Sequence, residues 1–270
     1  MGIDTFAGKS ALITGGASGI GLATGQMLVE RGCRVVLADL TDESGEVAAL
    51  TIGATFVHLD VSRSEDWAAL VAAHPTFDIV HLNAGVSTLW PSGPKPDPGA
   101  VRLLDLSDQA IRRVVGVNIE GVVFGVRAML PVLGNRGGGV IVATSSLAGV
   151  SGLAPDPLYS LSKHAVVGLV RSLAPTLAPL GINIHAVCPG VTDTGMLDDG
   201  SRHELLEVGF PLMSAERVAE AVLAAAQSEL SGQVWICQPG RETLAFRFHR
   251  IPAARLDDGT PAVPGGALSD

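Results

Sequence analysis

A short glycine-rich turn near the start of the chain constrains the fold more than any other feature. The apolar run Ala11 to Thr14 passes directly into Thr14-Gly15-Gly16-Ala17-Ser18-Gly19-Ile20-Gly21, and a helical pattern continues from Ile20 to Arg31. A strand, a tight turn and a helix N-terminus in that order aim backbone N–H groups and the positive helix end at one point, which suits a pyrophosphate. Gly15 permits the turn, Gly19 permits close approach of the phosphates, and Gly21 lets the helix pack on the strand. A glycine-rich turn alone is weak evidence. Its flanks turn it into a dinucleotide-binding βαβ unit, although three residues rather than one separate Gly15 from Gly19.

The rest of the chain repeats this alternation. Strand-like runs are read at Ala11–Thr14, Arg34–Ala38, Thr55–Leu59, Phe77–Leu82, Gly139–Ala143, Ile182–Val187 and Gln233–Ile236. Helical patterns are read at Ile20–Arg31, Glu43–Leu50, Ser64–Ala73, Ser107–Leu133, Pro157–Leu180 and Ala215–Ser228. Continuously apolar strands such as Val35-Val36-Leu37 suit a parallel sheet buried on both faces. The expected fold is therefore α/β: a doubly wound, Rossmann-type, mostly parallel seven-stranded sheet with helices on both faces. A single domain over residues 1–248 is expected, followed by a Pro- and Gly-rich tail over 249–270 that is extended or partly disordered.

Composition removes several classes of function. A net charge of −9 without a dense Lys/Arg cluster argues against nucleic acid as the main partner. Cys33, Cys188 and Cys237 are far apart and form no CxxC, so they read as small buried thiols rather than a disulfide framework, a zinc site or a redox pair. The histidines lack metal-ligand spacing, and no metal is expected. No uninterrupted apolar run approaches membrane length, and the N-terminus lacks a signal-like pattern. No membrane partner and a cytoplasmic location are the expectations.

Asp39 ends the second strand-like run. A carboxylate there can accept hydrogen bonds from adenosine ribose hydroxyls and would repel a 2′-phosphate, and no Arg or Lys stands at Ala17, Ser18 or Leu40 to offset that repulsion. NAD is therefore expected over NADP, against the plainer reading of a solvated loop acid. Further on, Asp156-Pro157 carries a helix-entry signature. Tyr159 and Lys163 then share one helix face, and Tyr159 is the chain's single tyrosine. A phenol is a poor base at neutral pH, and a neighbouring ammonium is expected to lower its pKa. By spacing alone the pair is also a common surface arrangement.

Taken together, Thr14 to Gly21, Asp60-Val61, Asn83-Ala84-Gly85, Asn118, Ser145-Ser146, Tyr159-x-x-x-Lys163 and Pro189-Gly190 make the chain resemble a short-chain dehydrogenase/reductase from about Phe6 to Pro239. The resemblance implies an oxidoreductase that moves a hydride between nicotinamide and a secondary alcohol or ketone. It implies Tyr159 as acid–base residue, Lys163 as its activator and a holder of the nicotinamide ribose, and Ser146 as hydrogen-bond partner of the substrate oxygen. Asn118 would hold water in a proton relay. Asp60 and Val61 would contact adenine, Asn83, Ala84 and Gly85 would line the cofactor, and Pro189, Gly190, Thr192 and Thr194 would hold the nicotinamide amide. Ser18 and Ile20 belong to the phosphate turn. A homo-oligomer, dimer or tetramer, is expected.

Departures from the family pattern include Thr192 after Pro-Gly-x, the helical Pro175 with an expected kink, and the Cys237-Gln238-Pro239-Gly240-Arg241 ending. The proline-rich stretch from Val86 to Gly99 carries Trp90, which either covers the substrate or is a surface aromatic. Val86, Trp90, Leu147, Leu153 and Met196 are the expected substrate walls. They are apolar and suit a hydrophobic alcohol or ketone, steroid- or terpenoid-like at the large end, under a movable lid from Thr194 to Phe210. A non-catalytic NAD(H)-sensing protein on the same fold is the alternative, disfavoured because Ser146, Tyr159, Lys163 and Asn118 are all present. A sugar-nucleotide epimerase or dehydratase would need a larger C-terminal part.

Overall fold

The structure is a computed structural model that describes residues 6–89, 102–249, 254–255 and 261–262. Trp90 and most of the proline-rich stretch lie outside the described residues, as does most of the tail. Seven parallel strands form the sheet: β1 (Ser10–Thr14), β2 (Arg34–Asp39), β3 (Thr55–His58), β4 (Ile79–Leu82), β5 (Gly139–Thr144), β6 (Ile182–Pro189) and β7 (Val234–Cys237). The order is β3-β2-β1-β4-β5-β6-β7, and an eighth strand, β8 (Leu244–Ala245), pairs antiparallel with β7. The seven-strand expectation is corrected by this one edge strand, which two residues are too short to announce by alternation. Ala254–Arg255 and Pro261–Ala262 of the tail pair antiparallel as β9 and β10.

The strand order reverses between β1 and β4, which are direct neighbours. Chains leaving these strands diverge to opposite sides of the sheet, and the crevice between them is where doubly wound proteins bind ligands. On one face pack α1 (Gly19–Glu30), α2 (Asp42–Ile52) and α8 (Ala215–Ala226). Their core includes Ile13, Leu28, Leu37, Val142, Val187 and Val222. On the other face pack α3 (Ser64–Ala73), α5 (Gly121–Gly134) and α6 (Pro157–Leu177), with α4 (Asp108–Val115) against α6. Their core includes Trp67, Met129, Leu133, Ile141 and Val170. Burying apolar side chains on both faces stabilises the layers by about 25 cal/mol per Å² removed from water, and it explains why the inner strands carry no polar alternation.

The expected long helix from Ser107 to Leu133 is real but interrupted. Between α4 and α5 the five residues Gly116–Glu120 form a π-helical turn. One wider turn rotates every following side chain relative to the preceding ones, and such turns concentrate at functional sites. Here it lies at Asn118, which is fully buried. The continuous helical stretch Asp108–Gly134 is long and apolar enough to cross a membrane by length and composition, although Arg112, Arg113, Glu120 and Arg127 interrupt its apolar run. Val122, Val126, Met129 and Leu133 nevertheless pack into the core, the behaviour of a central helix. Helix α6 ends two residues past Pro175, so the expected kink becomes a terminus. A short helix, α7 (Asp199–Glu207), occupies the stretch read as a lid.

Candidate active site

The C-terminal ends of β1, β4, β5 and β6 form one edge, and the residues singled out by sequence collect there. Gly15 and Gly19 have positive φ values of 63° and 51°. A Cβ on Gly15 would stand 2.9 Å from Ala84 Cα, and one on Gly21 would collide with the Gly15 carbonyl. The turn is thus as close to the β4 end as atoms allow. Ser18 caps α1 by backbone position without a side-chain bond, and no acidic residue occupies the first helical turn. The first N–H groups of α1 therefore face outward with no side-chain anion of their own, which fits a phosphate-bearing ligand.

Thr14 ties this turn to β4: its hydroxyl accepts from the N–H groups of Asn83 (2.9 Å) and Ala84 (3.1 Å). Asn83 in turn donates to the Gly15 carbonyl at 3.3 Å and accepts from the Thr144 hydroxyl at 3.0 Å. The Thr144 hydroxyl also bonds Nε2 of buried His81 at 2.8 Å. These three strand ends behave as one rigid platform. Asp39 ends β2 with one carboxylate oxygen accepting from Ala17 N–H (3.0 Å) and the other from Thr41 N–H (3.2 Å). Asp60 holds Ser62 through its N–H (2.9 Å) and hydroxyl (2.6 Å), with Val61 buried beside it.

The second half of the site hangs from β5 and α6. Ser146 lies just beyond β5, its hydroxyl accepting from Ala148 N–H at 3.1 Å and near enough to the Tyr159 phenol to favour its ionised form. Ser145 donates to the Lys163 carbonyl at 2.8 Å, which fixes the height of α6 against β5. Lys163 is 3% exposed and donates its ammonium to the Thr144 carbonyl at 2.9 Å. That ammonium stands 5.5 Å from the centroid of the Tyr159 ring. Gly85 closes the gap from the β4 side: a Cβ there would lie 3.3 Å from Lys163 Nζ. Asn118 clamps the next residue, accepting from Val86 N–H and donating to the Val86 carbonyl, both at 2.8 Å, and donating to Ser162 at 3.0 Å.

The electrostatics differ from the expectation in one respect. Burial pushes the Tyr159 phenol up to about 12, the nearby Ser146 hydroxyl opposes that, and the charges of Asp156 and of the Cys188 thiolate form add to it. Burial also pushes the Lys163 ammonium down to about 8. Lys163 commits one of its three ammonium donors to the Thr144 carbonyl, and in the ligand-free chain burial outweighs the groups that lower the phenol's pKa.

The remaining expected positions also fall on this edge. Pro189 ends β6, and Gly190 donates to the Cys237 carbonyl at 2.9 Å. The Thr194 side chain would stand 3.1 Å from a Cβ placed on Gly19, so this segment reaches over the phosphate turn. Thr192 bonds its hydroxyl to the Gly190 carbonyl at 3.0 Å. Leu147 opens a 3-10 turn at the end of β5, and Leu153 donates its N–H to Ser160 Oγ at 2.9 Å. Met196 is 36% exposed. Arg202 of α7 pairs with Asp193 and Asp199, latching that helix to the segment after Gly190. All three cysteines are free and buried, as read from sequence. Sequence reasoning missed the Thr14–Asn83–Thr144–His81 network and the hydrogen bonds of Asp156 to Ser87 and Thr88, because neither has a local pattern.

A glycine turn at a topological switch point, opposite a Ser/Tyr/Lys cluster on a helix, defines a dinucleotide-dependent oxidoreductase site. The family description "short chain dehydrogenase" matches residues 9–205, and the chain belongs to that family, whose enzymes use NAD(P)(H) on small-molecule substrates. Among its relatives, a mitochondrial borneol dehydrogenase of Lavandula x intermedia is 36% identical over 232 residues, covering 82% of this chain and 85% of the relative. A 3-alpha-(or 20-beta)-hydroxysteroid dehydrogenase of Mycobacterium tuberculosis is 34% identical over 197 residues, covering 71% of this chain and 72% of the relative. A 3-ketoacyl-(acyl-carrier-protein) reductase of Brucella melitensis, solved in complex with NADH, superimposes with a TM-score of 0.76 at 27% identity, covering 88% of this chain and 99% of that one.

Proposed function

We propose that this chain interconverts a secondary alcohol and a ketone on a hydrophobic small molecule, using NAD in preference to NADP. The observation that carries the reading is the Ser146, Tyr159 and Lys163 cluster at the β5–α6 edge, with the buried Lys163 ammonium 5.5 Å from the Tyr159 ring centroid and anchored to the Thr144 carbonyl. The bound dinucleotide supplies the hydride acceptor for oxidation and the donor for reduction. Ser146 and Tyr159 hold the substrate oxygen between two hydroxyls, and Tyr159 takes its proton in the oxidative direction. Lys163 would face the nicotinamide ribose, and a water held near Asn118 would carry the proton onward. Gly15, Ser18, Gly19, Ile20 and Gly21 cradle the pyrophosphate, and Asp60, Val61, Asn83, Ala84 and Gly85 line the adenosine and ribose. Pro189, Gly190, Thr192 and Thr194 hold the carboxamide.

Asp39 supports the choice of NAD. Its carboxylate is already fixed by Ala17 and Thr41 N–H groups at the end of β2, where it can accept from ribose hydroxyls and would repel a 2′-phosphate. Val86, Leu147, Leu153 and Met196 support an apolar substrate, and the borneol and hydroxysteroid activities named for two relatives agree with that choice. The test is reduced-dinucleotide formation from NAD+ or NADP+ across borneol, hydroxysteroids, simple cyclic alcohols and polyols. Turnover of apolar cyclic alcohols with at least tenfold preference for NAD+ is expected. Good turnover confined to polyols, or tighter use of NADP+, would reverse the reading.

A further inference from the structure

Asp156 is the one fully buried carboxylate among the described residues, and nothing in the reaction above uses it. It is the N-cap of α6, and Oδ1 accepts from Tyr159 N–H at 3.0 Å. A cap needs only that one bond. This carboxylate accepts three more, all from the segment leaving β4. Thr88 donates its hydroxyl to Oδ1 at 2.6 Å and its N–H to Oδ2 at 2.8 Å, and buried Ser87 donates its hydroxyl to Oδ2 at 2.8 Å. The preceding residue, Val86, is held on both backbone atoms by Asn118. Residues 86–88 are therefore gripped by two side chains from two other elements.

We propose that Asp156 is a positioning residue for the reaction: its carboxylate clasps the Ser87–Thr88 segment to the first turn of α6, fixing Tyr159 against that wall of the cleft and presenting a negative charge to the phenol. This rests on the reading of Tyr159 as the acid–base residue. A buried carboxylate is costly unless its lone pairs are occupied. Four donors occupy them, and the two elements cannot separate without leaving those lone pairs bare. The charged or titratable groups facing Tyr159 are Asp156 from its cap, Lys163 from its own helix and Cys188 from β6. Asp156 raises the phenol's affinity for its proton.

Tyr159 is the only tyrosine of the chain, so tyrosinate absorbance of the free protein reads this phenol alone. The titration is read by rapid mixing, before alkaline unfolding. The expected midpoint for the native chain is about 12. Asp156→Asn keeps an oxygen for the cap but loses the charge, and its midpoint should fall below the native one while burial keeps it above the ordinary tyrosine value. Ser87→Ala combined with Thr88→Val keeps the carboxyl group, the cap and the Thr88 N–H bond but removes the two hydroxyl donors of the clasp. Turnover of the best alcohol from the panel above should then drop about tenfold or more, with dinucleotide affinity unchanged. An unchanged midpoint in a folded Asp156→Asn chain, or full turnover in the Ser87/Thr88 variant, overturns the proposal. If Asp156→Asn does not fold, the Ser87/Thr88 variant decides alone. A Tyr159→Phe chain that still turns over would instead remove the underlying acid–base reading, and the proposal with it.

Discussion

At the scale of single residues, the site depends on buried polar groups whose protonation is set by their surroundings. His81 and His185 illustrate this away from the chemistry. Ile13, His81, Val142 and His185 lie in one row across β1, β4, β5 and β6, and both histidines are fully buried. His81 bonds Thr144, but neither ring nitrogen of His185 has a partner. Burial pushes His81 down to about 3 and His185 down to about 4, from an ordinary 6.5. Each ring is neutral in the folded chain and takes a proton when unfolded. Their contribution to stability is therefore complete above pH 6.5 and is lost progressively as pH falls toward 4 and then 3. His185→Leu removes an orphaned polar ring, and it should raise neutral-pH stability by about 1 kcal/mol while flattening the acid-side decline. Denaturant melts across this pH range measure both effects; an unchanged acid slope would contradict the assignment.

At the scale of elements, the glycine turn, β2 and α6 were legible in the sequence because each has a local signature. Gly15 to Gly21 sits between an apolar run and a helical pattern, and Asp156-Pro157 marks a helix start. The π-helical turn at Gly116–Glu120 was not legible, since its sequence is that of an ordinary helix and only the packing of Asn118 against Val86 reveals its use. Strand β8 was too short to show, and α7 has no buried face to create a periodic pattern. The clasp of Asp156 joins residues 68 or more positions apart, and no local pattern encodes it. The turn provides the prediction at this scale. A Cβ on Gly21 would collide with the Gly15 carbonyl and stand 2.9 Å from Asn83 Nδ2, so Gly21→Ala must displace the turn from β4. NADH affinity, read by fluorescence titration, should fall at least tenfold while the Ser146–Tyr159–Lys163 cluster stays in place. Unchanged affinity would show that the phosphates lie elsewhere.

At the scale of the whole molecule, the fold brings two half-sites to one sheet edge. One half, from β1, α1 and β2, offers uncapped N–H groups and Asp39. The other, from β5 and α6, offers two hydroxyls and a buried ammonium. Thr14, Asn83 and Thr144 bolt the halves together through β4. The sequence motifs named the parts of both halves, but the raised Tyr159 phenol emerged only from burial in the folded chain. Burial of the phenol makes its surroundings, and not the spacing to Lys163 alone, decide its proton affinity. It makes Tyr159 the residue on which the account stands. The direct measurement compares Tyr159→Phe with the native chain for NAD+-dependent oxidation of the best alcohol and for NADH binding. The account expects turnover to fall by about a hundredfold or more with NADH affinity within a fewfold of native; a Phe chain that oxidises the alcohol at near-native rate would contradict it.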